Sequence, residues 1–243
     1  MGYFDNDTKI DEWLQKRLSR FTASENYKLL VSNGTKLFGT GAMTYIETKV
    51  IGLTTSVWQR PEMDNVESLL HGKQYEYPAY ERYVKETKNT SMTYLGTDNP
   101  LFIPHPKMEE ESGGTPDIAN ITDTASIDYL GEVKCPANPA YHFRRLKWRT
   151  QFDIKENYLS CYTQMQNLML ITGAFGCDFV SYDERQLAYS KKIIIIEVKP
   201  DRKFIDNLEL RIHLAIKEKY KILSDHMGTE LKNRTDYLNF INQ

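Results

Sequence analysis

Three charged residues lie at a spacing that suits divalent-cation chemistry. Asp117 follows a Gly-Gly-Thr-Pro turn, and Glu132 and Lys134 lie two residues apart in the alternating segment 127–134. This alternation predicts a strand, whose period of two places Glu132 and Lys134 on one face. Two carboxylates and the main-chain carbonyl of Val133 form a hard oxygen site that suits Mg²⁺ or Mn²⁺. Lys134 could then orient a water activated by the cation.

The same residues also have a purely structural interpretation. Asp117 would cap its turn, and Glu132 with Lys134 would form a cross-strand surface pair. The Glu-x-Lys spacing alone does not separate these alternatives, because many sheets contain it.

Two further residues are candidates for the same site. Gln164 shares a helical face with Cys161, Leu168 and Ile171, and an amide on an apolar stripe needs a partner in the protein or a ligand. A buried amide bonded to backbone is the alternative, and we interpret Gln166 as structural. Glu76 could equally be a solvated helix acid.

Four residues are candidates for binding phosphate. Arg17 and Ser24 flank a predicted helix start, where amide donors and a guanidinium together suit an anion, although Ser24 could simply be a cap. Arg144 and Arg145 belong to the segment 143–149, in which four cations interleave with two aromatic residues. That composition suits phosphates and stacked bases, but it also occurs in ordinary solvated segments.

The composition bounds the class of protein. A chain of 243 residues with 40% hydrophobic and 26% charged residues predicts one globular domain. No apolar run suggests a membrane span, and the polar start does not resemble a signal peptide, so we expect a cytoplasmic protein. The net charge of −2 means that any contact with nucleic acid must be local. Cys135, Cys161 and Cys177 are expected to be free thiols.

The hydrophobic periodicity predicts helices flanking a small mixed sheet, in an α/β or α+β fold. The single domain 1–243 would contain N-terminal helices over 11–31, a core over about 62–200 and a closing helix over about 205–223. The individual expectations are helices at 11–18, 23–31, 62–83 and 153–171, and strands at 127–134, 177–182 and 193–198, the last of them buried. Pro78 should kink its helix or begin one, and 92–114 should hold at most a short strand around 101–103.

Several motifs resemble one nuclease family when they are taken in chain order. Trp13, Arg17 and TASE at 22–25 resemble its W-xxx-R and TAS segments, and GKQYE at 72–76 resembles its acidic helix. They are followed by GTPD, GEVKCP, YTQMQ and CDFVSYDER. The chain resembles the lambda exonuclease and YqaJ-type viral recombinase family of the PD-(D/E)xK nuclease superfamily. One departure is that the family's second cation beyond TAS has no match nearer than Lys36.

The resemblance implies a restriction-endonuclease-like core and 5′-to-3′ digestion of one strand of linear double-stranded DNA, leaving 3′ overhangs for recombination. It implies that Asp117, Glu132, Glu76, Lys134 and Gln164 form the catalytic site. Arg17 and Ser24 would hold the 5′-phosphate. It further implies Mg²⁺, with two ions per site, a homotrimeric ring around DNA and a single-strand annealing protein as partner.

Three rival functions remain open at this stage. A structure-specific or restriction-type endonuclease would use the same metal core. A catalytically inactive module that binds DNA ends would keep the fold without cleavage. A purely structural protein would require every motif to be coincidental.

Overall fold

A computed structural model describes residues 12–30, 36–55, 67–96 and 100–242. The helices are α1 (12–17), α2 (Thr40–Thr54), α3 (Glu67–Thr87), α4 (Pro139–Arg145), α5 (Gln151–Asn157), α6 (Leu159–Thr172), α7 (Arg202–Met227) and α8 (Arg234–Ile241). The strands are β1 (Phe21–Thr22), β2 (Met92–Tyr94), β3 (Ile103–Pro104), β4 (Ser112–Gly114), β5 (Ile118–Ile121), β6 (Ile127–Lys134), β7 (Gly176–Tyr182) and β8 (Ile193–Val198). Short 3-10 helices span Asn26–Leu30 and Tyr189–Lys191.

A five-stranded mixed sheet positions the candidate residues, in the order β2-β5-β6-β7-β8. Strand β6 runs antiparallel to β5 and parallel to β7, with Glu132 opposite Phe179 and Lys134 opposite Ser181. Because the chain reaches β7 from β6 through α4, α5 and α6, the crossover lets these two strands run parallel. The small mixed sheet flanked by helices confirms the expected fold class.

The two faces of this sheet are covered by different helices. Leu130 of β6 packs with Met165 and Leu168 of α6, whereas Val133 packs with Ala79 and Tyr83 of α3. Alternate residues of β6 therefore face opposite layers, and both layers exclude water. This burial on both sides is why Glu132, which lies on the α6 face, has no exposed surface.

A second, three-stranded sheet in the order β1-β4-β3 lies beside α6. A cluster of Phe21, Leu29, Ile46, Leu208 and Ile212 joins it to α2 and α7. The close approach of β4 to α6 requires a glycine at 114. A Cβ there would lie 2.7 Å from Leu168 and 2.8 Å from the Cβ of Ala23.

A buried polar cluster ties α7 to the residue that precedes β4. The ammonium of Lys219 donates to Glu111 Oε2 at 2.6 Å and to the carbonyl of Ser19 at 3.0 Å. The hydroxyl of Tyr220 donates to the other oxygen of Glu111. Each buried polar group is therefore paired, as burial demands.

The segment 92–114 contradicts the expectation that it holds at most one short strand. It contributes β2, β3 and β4, and β2 pairs with β5, which the periodicity also failed to indicate. Strands of two to four residues are too short to show a period of two, and their stability comes from pairing with distant segments.

The helix predictions need four corrections. The second N-terminal segment forms the 3-10 helix Asn26–Leu30 rather than an α-helix, and Val31 lies outside the described residues. Pro78 lies inside α3 and does not begin a helix, while 62–66 lie outside the described residues. The segment 153–171 is broken at Tyr158 into α5 and α6. The helix α7 does not close the fold, because α8 follows it.

Strand β8 is also less buried than expected. It is the edge of the sheet and pairs only with β7, so three of its four isoleucines are half-buried.

The three cysteines are free thiols, as predicted, and all are buried. Within the described parts of the chain, no helix combines the length and the apolar character needed to span a membrane.

Candidate active site

A cavity of about 520 Å³ opens beside the carboxyl end of β6. It gathers residues that are far apart in the chain, among them most of the candidates named from the sequence. These lining residues are Arg17, Ser24, Glu76, Asp117, Val133, Lys134, Arg145 and Gln164. We call this cavity the catalytic pocket.

Asp117 and Lys134 line the catalytic pocket, and Glu132 lies fully buried next to them. The amide of Val133 donates to Asp117 Oδ2 at 2.8 Å, which fixes that carboxylate against β6. The ammonium of Lys134 donates to Glu132 Oε1. Glu132 is fully buried, and its Oε2 has no hydrogen-bond partner among the described residues. The surface-pair interpretation is therefore wrong for Glu132 and Lys134.

The pKa values of Asp117, Glu132 and Lys134 are all shifted, because each group loses contact with water and lies close to the charges of the others. Burial raises the pKa of Asp117 well above its ordinary value, and the nearby carboxylates of Glu132 and Glu76 raise it further. Burial also raises the pKa of Glu132, although Lys134 opposes this. For Lys134 burial lowers the pKa, but the Glu132 and Asp117 carboxylates outweigh it and hold the pKa well above the ordinary value. Neighbouring carboxyl groups with raised pKa values, as found for Asp117 and Glu132, are typical of functional sites.

Glu76 is placed by α3, which continues through Pro78. The hydroxyl of Tyr94, on β2, donates to Glu76 Oε2 at 3.0 Å. Glu76 lines the catalytic pocket and acts electrostatically on Asp117. The interpretation of Glu76 as an ordinary solvated acid is therefore not supported.

The two glutamines of α6 differ in environment. Gln164 is half-buried and lines the catalytic pocket. Gln166 is fully buried and bonds the backbone at both ends, donating to the carbonyl of Lys199 and accepting from the amide of Asp201. The interpretation of Gln166 as structural is confirmed.

Arg17 and Ser24 also line the catalytic pocket and contact each other. Arg17 Nη2 donates to Ser24 Oγ at 3.3 Å, and its guanidinium lies 4.3 Å from the ring centroid of Trp13. The Trp13 indole in turn donates to Thr115, in the turn before Asp117. No α-helix begins at Ser24, which lies in a turn before the 3-10 helix Asn26–Leu30.

A cation that the sequence did not single out lies near Arg17. Lys49, on α2, is 7% exposed, and its ammonium lies 3.4 Å from Glu25 Oε2. Lys28 pairs with the other oxygen of Glu25 at 2.6 Å. Lys49 was missed because it is 24 residues from Glu25, and only the packing of α2 brings it near. Lys36, the match suggested by the sequence, is exposed and does not line the pocket.

Arg144 and Arg145 separate in the fold. Arg145 is buried and lines the catalytic pocket, whereas Arg144 is exposed and lines an adjoining groove. Tyr158, at the break between α5 and α6, lines both. Nothing in the local pattern marked Tyr158, because the continuous periodicity of 153–171 concealed the break.

The catalytic pocket could bind a hard divalent cation only through carboxylate and main-chain carbonyl oxygens together. Among the residues that the structure describes, no three acidic, histidine or cysteine side chains are grouped as a metal site. Asp117 and the buried Glu132 supply two carboxylates, and the pocket-lining Val133 supplies a carbonyl. Such a set of carboxylate and carbonyl oxygens is one that Mg²⁺ accepts together with water.

Comparisons with known proteins identify the fold. No protein-family profile and no curated protein matches the chain. Among solved structures, the alkaline exonuclease LHK-Exo from Laribacter hongkongensis has a TM-score of 0.70 and 23% identity, covering 90% of this chain and 96% of its own. LHK-Exo in complex with dAMP gives the same TM-score and identity, with 98% of that chain covered. A phage-related exonuclease from Haemophilus somnus 129PT has a TM-score of 0.61 and 15% identity, covering 86% and 96%.

The chain therefore has the fold of these exonucleases. This likeness confirms the fold that the resemblance of the motifs implied, and the chain spans nearly the full length of each of these structures.

Proposed function

We propose that this chain is a metal-dependent exonuclease that degrades one strand of linear double-stranded DNA from the 5′ end. The product would be a 3′ single-stranded overhang for recombination. The observation that carries the proposal is that Asp117 and Lys134, with the buried Glu132 bonded to Lys134, line the same pocket as Arg17 and Ser24. Cleavage and 5′-end recognition would thus share one cavity.

The proposed cofactor is Mg²⁺, with Mn²⁺ as a substitute and two ions per site. The fit rests on Glu132, whose buried Oε2 has no protein partner among the described residues, and buried carboxylate oxygens require one. Asp117, Glu132 and the Val133 carbonyl would hold the first ion, with Glu76 supporting it or its water. When bound, the cation polarises the scissile phosphate and lowers the pKa of water.

The residues of the chain would divide the remaining work. Lys134, helped by Gln164, would orient the attacking water and offset charge on the phosphate. The Val133 amide holds Asp117 in one orientation, which limits the reorganisation required during the reaction. Arg17 and Ser24 would hold the 5′-phosphate and so fix which bond is cut.

A mononucleotide is the proposed product of each cut. The structure of LHK-Exo in complex with dAMP supports a mononucleotide as a ligand of this fold, and the catalytic pocket, at about 520 Å³, lies within the usual range for small-molecule sites. The homotrimeric ring and a single-strand annealing partner are further parts of the proposal. They rest on the family resemblance alone.

The test is digestion of duplexes with a 5′-phosphate or a 5′-hydroxyl and of closed circular DNA, with and without Mg²⁺. We expect mononucleotide release from linear duplexes only, and only with the cation. Lys134→Ala should lower the rate by about 100-fold or more, as loss of one transition-state donor does. The matched control is Lys217→Ala, which removes an exposed lysine of α7 outside the catalytic pocket.

Two results would contradict the proposal. Cutting of the closed circle would favour the restriction-type endonuclease. Binding of Mg²⁺ and duplex ends without cleavage would favour the inactive DNA-end binding module.

A further inference from the structure

A second groove adjoins the catalytic pocket. Its cavity measures about 1060 Å³ and runs between the start of α3, the helix α4 and the break between α5 and α6. It shares Ser68, Pro136, Arg145 and Tyr158 with the catalytic pocket, so the two cavities are contiguous. We call this cavity the basic groove.

The charges of the basic groove are unbalanced. Among the described residues that line it, Arg144, Arg145 and Lys147 are cations, and Glu67 is the one acid. The whole chain has a net charge of −2, so this concentration of positive charge is local. A local basic stripe is the electrostatic footprint of a phosphate backbone.

Arg145 independently indicates an anionic ligand. Its side chain is buried, and no carboxylate of the described residues lies within ion-pair distance of it. Its guanidinium donates to Ser181 Oγ at 3.2 Å, hydrogen-bonds the side chain of Tyr158 and lies 4.8 Å from the centroid of that ring, so all its partners in the described part of the chain are neutral hydroxyls and aromatic rings. Burial lowers the pKa of Arg145. A buried cation without a carboxylate needs another negative partner, and this one lies between the two cavities.

The groove also offers an aromatic face. Tyr141 on α4 lines it and is 52% exposed. The guanidinium of Arg144 lies 5.9 Å from the centroid of this ring. An exposed ring beside cations suits an unpaired base, which can stack on the ring while its phosphates contact the cations. A base within a duplex has both faces covered by its neighbours and cannot stack in this way.

We propose that the basic groove binds the single DNA strand that remains when its complement is removed. Arg145 would hold the phosphate of this strand that lies nearest the catalytic pocket, Arg144 and Lys147 the following ones, and Tyr141 would stack an unpaired base. The inference rests on the proposed function, because that reaction produces the unpaired strand next to this groove.

The test measures binding without metal, so that no strand is cut. A labelled oligothymidylate of about 12 nucleotides, within the usual range of single-strand sites, is compared with a blunt duplex by fluorescence anisotropy. Tyr141→Ala should weaken binding of the oligothymidylate by roughly 10-fold, and weaken duplex binding much less. Arg144→Gln/Lys147→Gln should reduce the slope of log affinity against log salt by about 1.4, since each single-strand phosphate contact contributes about 0.7.

The matched control is Lys217→Gln/Lys221→Gln, which removes two exposed cations of α7 that lie outside both cavities. It should leave the oligothymidylate affinity within about twofold, because the contacts are local. Thermal unfolding of each variant checks that it is folded.

Three outcomes would overturn the inference: no binding of the oligothymidylate by the wild-type chain, no effect of the groove variants, or equal losses for single strand and duplex. The proposed function is judged separately by duplex digestion with Mg²⁺. A wild-type chain that binds the oligothymidylate through these residues but leaves duplexes uncut would contradict the proposed function and support binding in the groove.

Discussion

At the scale of single residues, the surroundings of Asp117 disfavour its charged carboxylate and so reduce the stability of the folded chain. Its charge is buried beside Glu132 and Glu76, and all three effects raise its pKa. Two effects oppose this rise, namely the positive charge of Lys134 and, after it, the hydrogen bond from the Val133 amide. A residue that costs stability in this way is expected where function requires it.

The first prediction is that Asp117→Asn stabilises the metal-free chain and removes activity. The asparagine keeps an oxygen for the Val133 amide but removes one negative charge, so the unfolding free energy in EDTA should rise by about 1 kcal/mol. Digestion of linear duplex should fall by at least about 100-fold.

Mg²⁺ provides the second readout for this variant. It should raise the unfolding midpoint of the wild type by mass action, and it should have little effect on Asp117→Asn. An unfolding midpoint lowered in EDTA, or an equal response of both proteins to Mg²⁺, would show that Asp117 is structural.

At the scale of elements, the sequence predicts long strands and helices well and short ones poorly. The predicted 127–134 coincides with β6, because eight residues are enough to show an alternation of period two. The strands β2, β4 and β5 were missed, because two to four residues show no period and depend on partners elsewhere in the chain. The break at Tyr158 was missed for a related reason, since apolar spacing continues across it.

The candidate site was predictable where motifs are local and not where tertiary packing places a residue. Glu132 and Lys134 lie two residues apart on one strand, so their proximity follows from strand geometry. Asp117 comes near them through the pairing of β5 with β6, and it was grouped with them because the motifs resemble the nuclease family. Lys49 and Tyr158 reach the same region only because α2 packs near Glu25 and α6 begins beside the pocket. No spacing in the sequence encodes those contacts.

The second prediction tests the close approach of β4 to α6. Gly114→Ala places a methyl group 2.7 Å from Leu168 and 2.8 Å from the Cβ of Ala23, so the unfolding free energy should fall by roughly 1–3 kcal/mol. Because α6 carries Gln164, nuclease activity should fall as well. Gly41→Ala on α2 is the matched control, since a Cβ there meets nothing within 4 Å. Urea denaturation measures both, and equal stabilities would contradict the packing argument.

The third prediction concerns the link between α7 and Glu111. Lys219→Met should lower the unfolding free energy by about 3 kcal/mol, because it leaves the buried Glu111 carboxylate without its cation. Lys217→Met, two residues earlier and exposed, should change it by less than about 0.5 kcal/mol. A loss below about 1 kcal/mol for Lys219→Met would contradict the argument.

Lys219 should also make the unfolding free energy depend on pH. Burial lowers the pKa of Lys219 from 10.5 to about 8. Between these values the unfolded chain binds more protons than the folded chain, so the unfolding free energy rises with pH. The wild type should therefore gain stability relative to Lys219→Met between pH 8 and pH 10. The opposite trend in urea denaturation would contradict this assignment.

At the scale of the whole molecule, the net charge of −2 gives little general attraction for DNA. Prolonged contact with a duplex would then require either local grooves or a closed assembly around the strand. A cyclic homo-oligomer closes on itself and can enclose a ligand.

The fourth prediction is the homotrimer that the family resemblance implies, with a mass in solution three times the 28.4 kDa of one chain. Light scattering after size exclusion at micromolar concentration measures this mass. A monomeric mass would remove the ring from the proposed function, and processive digestion would then have to depend on surface contacts alone.

Because all three cysteines are buried, a fluorophore can be attached to an introduced cysteine while the native thiols stay unlabelled. Burial raises the pKa of Cys135 and of Cys161 to about 12 each, and that of Cys177 well above its ordinary value. Thiolates are the reactive species, so the native cysteines should resist maleimide dyes at neutral pH. One cysteine introduced at an exposed position such as Lys217 could carry a fluorophore without removing any native thiol, so that single-molecule fluorescence could test whether the chain moves along DNA.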